Sequence, residues 1–226
     1  KTCSRNVHGA CICKDASIAV AGKANITYGN SNFYIDNNLS ASGNSILNFT
    51  LDASTLAPGN HTLTYEYDAG QAQDGMMDTI CVQSVQEDFL VKPLANVVPT
   101  TNQIFCHNAP TSFIGFAGAV TGTIYTWIND NPAIGLATNG TGNIPSFTAI
   151  NTGTVRDTAM IIVTPSADGC IGKPDTFLII VKPRPVMAAV ADQTLCNRES
   201  TTTTTFNGTV AGTMYSWTSD NPAIGL

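Results

Sequence analysis

The chain has 226 residues, of which 10 are Lys or Arg and 16 are Asp or Glu, giving a net charge of −6 at pH 7. That balance excludes a nucleic-acid binder, because no basic surface is available to displace counterions from phosphate. With only 12% charged residues, surface polarity must come from Thr, Ser, Asn and Gly, a habit of secreted β-proteins, and no run reaches the roughly 20 apolar residues of a membrane span.

Residues 1–91 open with Cys3, His8, Cys11 and Cys13. Thiolates and an imidazole this close invite a zinc reading. Structural zinc sites space paired cysteines by two to four residues, however, and the single residue between Cys11 and Cys13 strains a shared tetrahedron, so disulfides are the expectation. Further on, Leu51–Leu56 and the run from Pro58 to Tyr67 (PGNHTLTYEY) precede Cys81. Phe33, Tyr34, Tyr65 and Tyr67 are candidate sugar-stacking aromatics, yet Tyr65 and Tyr67 alternate on one strand face and read more simply as core or cross-strand pairs.

From residue 92 to 181, short alternating or β-branched runs bounded by Gly, Pro, Asn or Asp predict strands near 112–117, 122–128, 146–150, 154–164 and 176–181. The last two flank a turn at Ser166–Gly172 and form a hairpin with Cys170 on its tip side. Tyr125 and Trp127 share one strand face, and the Trp is expected to fill the space between two sheets. No segment holds a helical period for three turns, so the predicted fold is all-β.

Residues 182–226 then repeat residues 92–136 at a spacing of ninety, with 19 of 45 positions identical. Gln103, Cys106, Phe116, Gly118, Gly122, Tyr125, Trp127 and Asp130 to Leu136 fall on Gln193, Cys196, Phe206, Gly208, Gly212, Tyr215, Trp217 and Asp220 to Leu226. A period this long is a small domain rather than a solenoid turn. The expected organisation is 1–91, 92–181 and 182–226, the last being the first half of a copied unit. Val91-Lys92-Pro93 and Val181-Lys182-Pro183 leave almost no linker, and such short proline junctions predict a semi-rigid array.

The chain has seven cysteines. Cys106 and Cys170, 64 residues apart in one unit, are the expected pair, and Cys196 copies Cys106, so its partner is expected near position 260. Cys13 and Cys81 lie 68 apart and leave Cys3 with Cys11; exchanging Cys11 and Cys13 is equally open, because connectivity does not follow from sequence. Paired cysteines imply an oxidising, extracellular compartment.

The run Gly122 to Trp127 (GTIYTW), then Asn131 to Leu136 (NPAIGL), Gly140 to Ala149 (GTGNIPSFTA), Val163-Thr164-Pro165, Gly169-Cys170 and Phe177 to Val181 resembles the PKD-like repeat of very large Bacteroidota surface proteins. The resemblance covers 92–226. It implies tandem immunoglobulin-like (PKD-like) β-sandwich domains in an adhesin or gliding-motility-type protein exported by the type IX system. Residues 1–91 are similar to another immunoglobulin-like module, in which a Gly-x-His-Thr strand precedes a cysteine, and depart from it by the insert Gln71–Met77. The same resemblance implies O-glycosylation at Asp-Thr followed by a small or aliphatic residue, which Asp78-Thr79-Ile80 and Asp157-Thr158-Ala159 match, making Thr79 and Thr158 candidate sites. Ordinary strand threonines are the competing reading.

Candidates for chemistry are sparse. His8, His61 and His107 sit in no nucleophile or metal motif, and no nucleophile elbow, zincin helix or phosphate loop is present. Asp130, Asp168 and Asp175 are candidate calcium ligands at loop ends, without the one-three-five spacing of a calcium loop; solvated turn aspartates account for them adequately. No catalytic residue, cofactor or metal ligand is therefore assigned. The expected role is a non-enzymatic, extracellular repeat region that gives reach and stiffness to a bacterial surface protein or filament. Its expected partners are neighbouring repeats, other copies in a filament, surface glycans or the secretion and gliding machinery. The alternatives are a spacer or glycan-binding module of a secreted enzyme, and a fibre subunit that assembles by strand addition.

Overall fold

A computed structural model describes residues 10–23, 30–44, 46–68 and 82–225. Among them there is no α-helix, only β-strands and three short 3₁₀ turns. No helix among the described residues is long and apolar enough to cross a membrane. The described residues fall into two compact units. The first comprises 1–96 with 118–124 and 165–173, and the second comprises 97–117, 125–164 and 174–226.

The strands of the N-terminal sequence are β1 (Ala10–Cys13), β2 (Ser17–Lys23), β3 (Asn30–Ile35), β4 (Asn38–Asn44), β5 (Ile46–Asp52), β6 (Gly59–Asp68) and β7 (Val82–Lys92). One sheet has the order β1-β7-β6-β3-β4, and β2 pairs with β5 in a second. Alternation on β3, β6 and β7 sends Phe33, Leu63, Phe89 and Val91 to the inner face, where they meet Leu51, Phe49 and Ile18 of the smaller sheet. Phe33 stacks on Phe49 with centroids 5.3 Å apart. Asp36 and Asn37 connect β3 to β4 with φ of 48° and 66°, the left-handed geometry of a two-residue hairpin turn that Asp and Asn tolerate.

The remaining strands are β8 (Gln103–Cys106), β9 (Ile124–Asn129), β10 (Asn139–Thr141), β11 (Asp157–Ala167), β12 (Cys170–Ile171) and β13 (Asp175–Lys182). They form one sheet in the order β10-β9-β11-β13-β8, with β12 paired to β11. Tyr125 and Trp127 of β9, Ala159, Ile161 and Val163 of β11, and Phe177, Ile179 and Val181 of β13 make its buried face. A covering layer supplies Ile114, Phe116, Ile134, Leu136, Ile144 and Ala149.

That layer departs from the sequence expectation. The runs 112–117 and 146–150 are not strands; they meet through isolated bridges, Ile114 with Ile144 and Pro110 with Thr148. Pro110 and Pro145 have no N–H to give a ladder, and side chains take over the neighbouring backbone groups. Asn143 Oδ1 accepts from Phe116 N (2.8 Å) and Thr111 Oγ1 accepts from Phe147 N (2.9 Å). The hairpin, by contrast, forms as expected. Asp168 and Gly169 turn it with φ of 50° and 84°, and Ala167 faces Cys170 across the turn.

Residues 183–225 keep the local geometry of the repeat without its burial. Asn131 and Asn221 cap their 3₁₀ turns at φ −134° and −133°, each side chain accepting from the N–H two residues on at 3.2 Å. Phe206 packs on Tyr215 at 6.0 Å, as Phe116 packs on Tyr125 at 5.7 Å. Yet Trp217 is 62% exposed against 5% for Trp127, and Ile224 66% against 0% for Ile134. What buries the earlier set is β11 and β13, and among the described residues 183–225 have no counterpart of either.

Candidate functional site

The most constructed chemical feature is a disulfide between Cys13 and Cys170, with a Cα–Cα distance of 5.5 Å and a sequence separation of 157. Cys13 ends β1 and Cys170 opens β12 beside the Asp168-Gly169 turn; both belong to the first compact unit. Lys92, opposite Cys13 in the β1–β7 pairing, donates from Nζ to the Asp168 carbonyl at 2.9 Å. Lys14, next to Cys13, donates to the carbonyls of Ser54 (2.9 Å) and Leu56 (2.7 Å). The bridge therefore sits among lysine side chains tied to backbone oxygens.

This bridge replaces both pairings expected for its cysteines, Cys13 with Cys81 and Cys106 with Cys170. Strand register gives the reason. Cys106 is level with Lys182 and Phe105 with Val181, which pairs with Asp157, whereas Cys170 is level with Ala167. Ten residues of β11 separate those levels, about 33 Å at the rise of a strand, and a disulfide needs Cα atoms about 4.4–6.8 Å apart. Cys106 and Cys196 are exposed thiols. Cys3, Cys81 and His8 lie outside the described residues, so the expected pairing of Cys3 with Cys11 does too. With its sulfur bonded to Cys170, Cys13 has no thiolate to offer a metal.

The other candidates are not brought together. Asp130 accepts from Met160 N at 2.7 Å, Asp175 from Thr100 N at 2.8 Å, and Asp168 forms the hairpin turn. No group of three His, Cys, Asp or Glu side chains able to hold a metal occurs among the described residues. The aromatics are not a platform either. Phe33 and Tyr67 are buried, Tyr65 packs on Phe33 and shares a hydrogen bond with Ser31 (2.9 Å), and Tyr34 donates to Glu66 Oε1 at 3.3 Å. Burial and the Glu66 carboxylate raise the Tyr34 phenol above its usual range. Thr158 is exposed on β11 between half-buried Asp157 and buried Ala159 and faces away from the core. Thr79 lies outside the described residues.

Two histidines are structural in different ways. His107 Nδ1 accepts from Asn151 N at 2.9 Å, which fixes the ring proton on Nε2. The ring nitrogens of His61 face the Asp36 carboxylate (2.6 Å) and the Ala57 carbonyl (2.7 Å). Asp36 Oδ1 also accepts from Thr62 N at 2.9 Å. This cluster joins the β3–β4 turn to β6, and its only sequence signal was the Gly-x-His-Thr pattern.

Residues 102–185 match the model of the PKD-like domain family. No curated protein matches the chain. Among solved structures, the chain is similar to the two immunoglobulin domains of DIP-gamma, at 7% identity over 77% of this chain and 94% of that one, with a TM-score of 0.41. It is also similar to extracellular domains 3–5 of Drosophila OTK, at 12% identity over 82% and 66%, TM-score 0.30. A third similarity is to the SGBP-B protein of the Bacteroides ovatus mixed-linkage glucan utilization locus, at 15% identity over 75% and 43%, TM-score 0.27. The stretch holding β8 to β13 thus matches the PKD-like domain family, within an all-β chain.

Proposed function

We propose that this chain is a non-enzymatic, extracellular structural and adhesive repeat region of a large bacterial surface protein, of the kind exported by the type IX system in Bacteroidota. The observation that carries the reading is the internal copy, at a spacing of ninety residues, of the first half of a PKD-like module, since repeated modules add length without adding chemistry. Modules of this fold are typically non-catalytic, and the sulfur bridge between Cys13 and Cys170 suits an oxidising exterior. Boundaries at 92 and 182 follow from the repeat. The mild acidity serves solubility, and Thr158, outward on a regular strand, suits a glycan that leaves the core untouched.

The test is an in-frame deletion of residues 92–181 from the parent protein on living cells. The expected result is an epitope beyond the deletion that sits closer to the envelope, with weaker attachment under shear. An unchanged epitope height, or loss of a hydrolytic activity with attachment intact, overturns the reading.

A further inference from the structure

The first strand of each unit ends on a cysteine in one recurring setting. Cys13 ends β1 opposite Lys92 in a parallel pairing with β7, and Cys106 ends β8 opposite Lys182 in a parallel pairing with β13. The next residue donates to that lysine's carbonyl in both, Lys14 N to Lys92 O at 3.0 Å and His107 N to Lys182 O at 2.9 Å. Each cysteine carbonyl then accepts from the N–H three residues on. The donors are Ala16 at 2.9 Å, Ala109 at 3.0 Å and, after the copied Cys196, Glu199 at 3.0 Å.

At the first of these equivalent positions the sulfur is bonded to a cysteine on an Asp-Gly hairpin 157 residues further along, within the following sequence repeat. Lys92 docks on that same hairpin through the Asp168 carbonyl. At the second position Cys106 is an exposed thiol, and Lys182, the copy of Lys92, is exposed opposite it. Strand register keeps Cys106 away from Cys170, as described above.

We infer that Cys106 is a disulfide site of the same kind, whose partner is a hairpin cysteine ninety residues beyond Cys170 in the repeat register. The bridges then run out of phase with the sequence repeats, from the first strand of one to the hairpin of the next. The bond forms by exchange: the two thiols lose two protons and two electrons to a disulfide oxidant such as oxidised glutathione or a dithiol oxidase, which leaves as two thiols. The inference stands apart from the functional reading above, since it concerns sulfur pairing alone.

The experiment is peptide mapping of the full-length protein, with thiols alkylated at lysis and digestion without reduction. The expected product links the Cys106 peptide to the counterpart of residues 165–173 in the following repeat. Recovery of Cys106 alkylated before reduction, or linked to Cys170 or Cys196, overturns the inference. A second arm uses Cys13→Ser in the 226-residue chain. Cys170 is expected to alkylate as a free thiol, and capture of Cys170 by Cys106 overturns the out-of-phase pattern. The wild-type mapping decides even if that variant folds poorly.

Discussion

His61 and Asp36 are joined by a 2.6 Å contact between Nδ1 and Oδ2, while His61 Nε2 lies 2.7 Å from the Ala57 carbonyl. Two acceptors facing two ring nitrogens are both satisfied only by the imidazolium, which donates from each. The ring also stacks on Phe89 at 5.6 Å and is 11% exposed.

This pair makes stability depend on pH in a defined direction. Burial acts to lower the His61 pKa, but the Asp36 hydrogen bond, the Ala57 carbonyl and the Asp36 charge together raise it above 6.5. Burial acts to raise the Asp36 pKa, but His61 and Thr62 hold it below 3.8. The His61 contribution is therefore complete below pH 6.5 and lost as pH rises through the raised value. That of Asp36 is complete above pH 3.8 and lost as pH falls through the lowered value. Urea midpoints measured across pH are expected to peak between those limits, and His61→Gln should flatten the alkaline side. A midpoint that rises from pH 6.5 to 8 would contradict the assignment.

Fluorescence separates the two tryptophans of the chain. Trp127 is enclosed and Trp217 is solvent-facing. Trp217→Phe is expected to leave a blue-shifted emission poorly quenched by acrylamide, and Trp127→Phe a red-shifted, readily quenched one. Identical quenching in the two variants would show that the repeated motif is buried in both places.

Gly140 stands directly across from Trp127 in the β9–β10 pairing, and a Cβ there would run into the indole ring. Gly140→Ala is expected to cost about 1–3 kcal/mol through overpacking, and Trp127→Ala about 3–5 kcal/mol through the cavity it leaves. The Trp127 Nε1 has no hydrogen-bond partner among the described residues, so the ring is held by packing alone. Chemical unfolding followed by near-ultraviolet circular dichroism checks both values, and a Gly140→Ala variant as stable as wild type would refute the close approach.

Closing 157 residues with one bond stabilises the native chain by up to about 5 kcal/mol on the chain-entropy model. Cys13→Ser and Cys170→Ser are each expected to lower the melting temperature by the same amount. Their combination should lower it no further, because both remove a single shared link. Additive losses would point to separate roles for the two cysteines.

Local chemistry was legible in the sequence, and non-local partnership was not. The turn within Ser166–Gly172 and the shared face of Tyr125 and Trp127 depend on a few adjacent residues, so spacing alone exposes them. Cysteine connectivity depends on which strand ends are level, and nothing near Cys13 signals Cys170. The runs 112–117 and 146–150 have strand composition, but whether they form a ladder is decided by Pro110, Pro145 and the side chains of Thr111 and Asn143. The short β8 was missed because half-buried Gln103 and Phe105 alternate with exposed Ile104 and Cys106 over only four residues, too short a run to show a period. The His61–Asp36 contact was hidden for the same reason as the disulfide, since 25 residues separate the partners.

The bond from Cys13 to Cys170 also changes what a protease can accomplish. A single peptide cut anywhere between Lys14 and Gly169 opens a ring without releasing either fragment, because the two pieces stay joined through sulfur. Such a nicked molecule would run as one species on a gel without reductant and as two with it. A chain exposed to foreign enzymes can thus suffer one cleavage in that span and shed nothing.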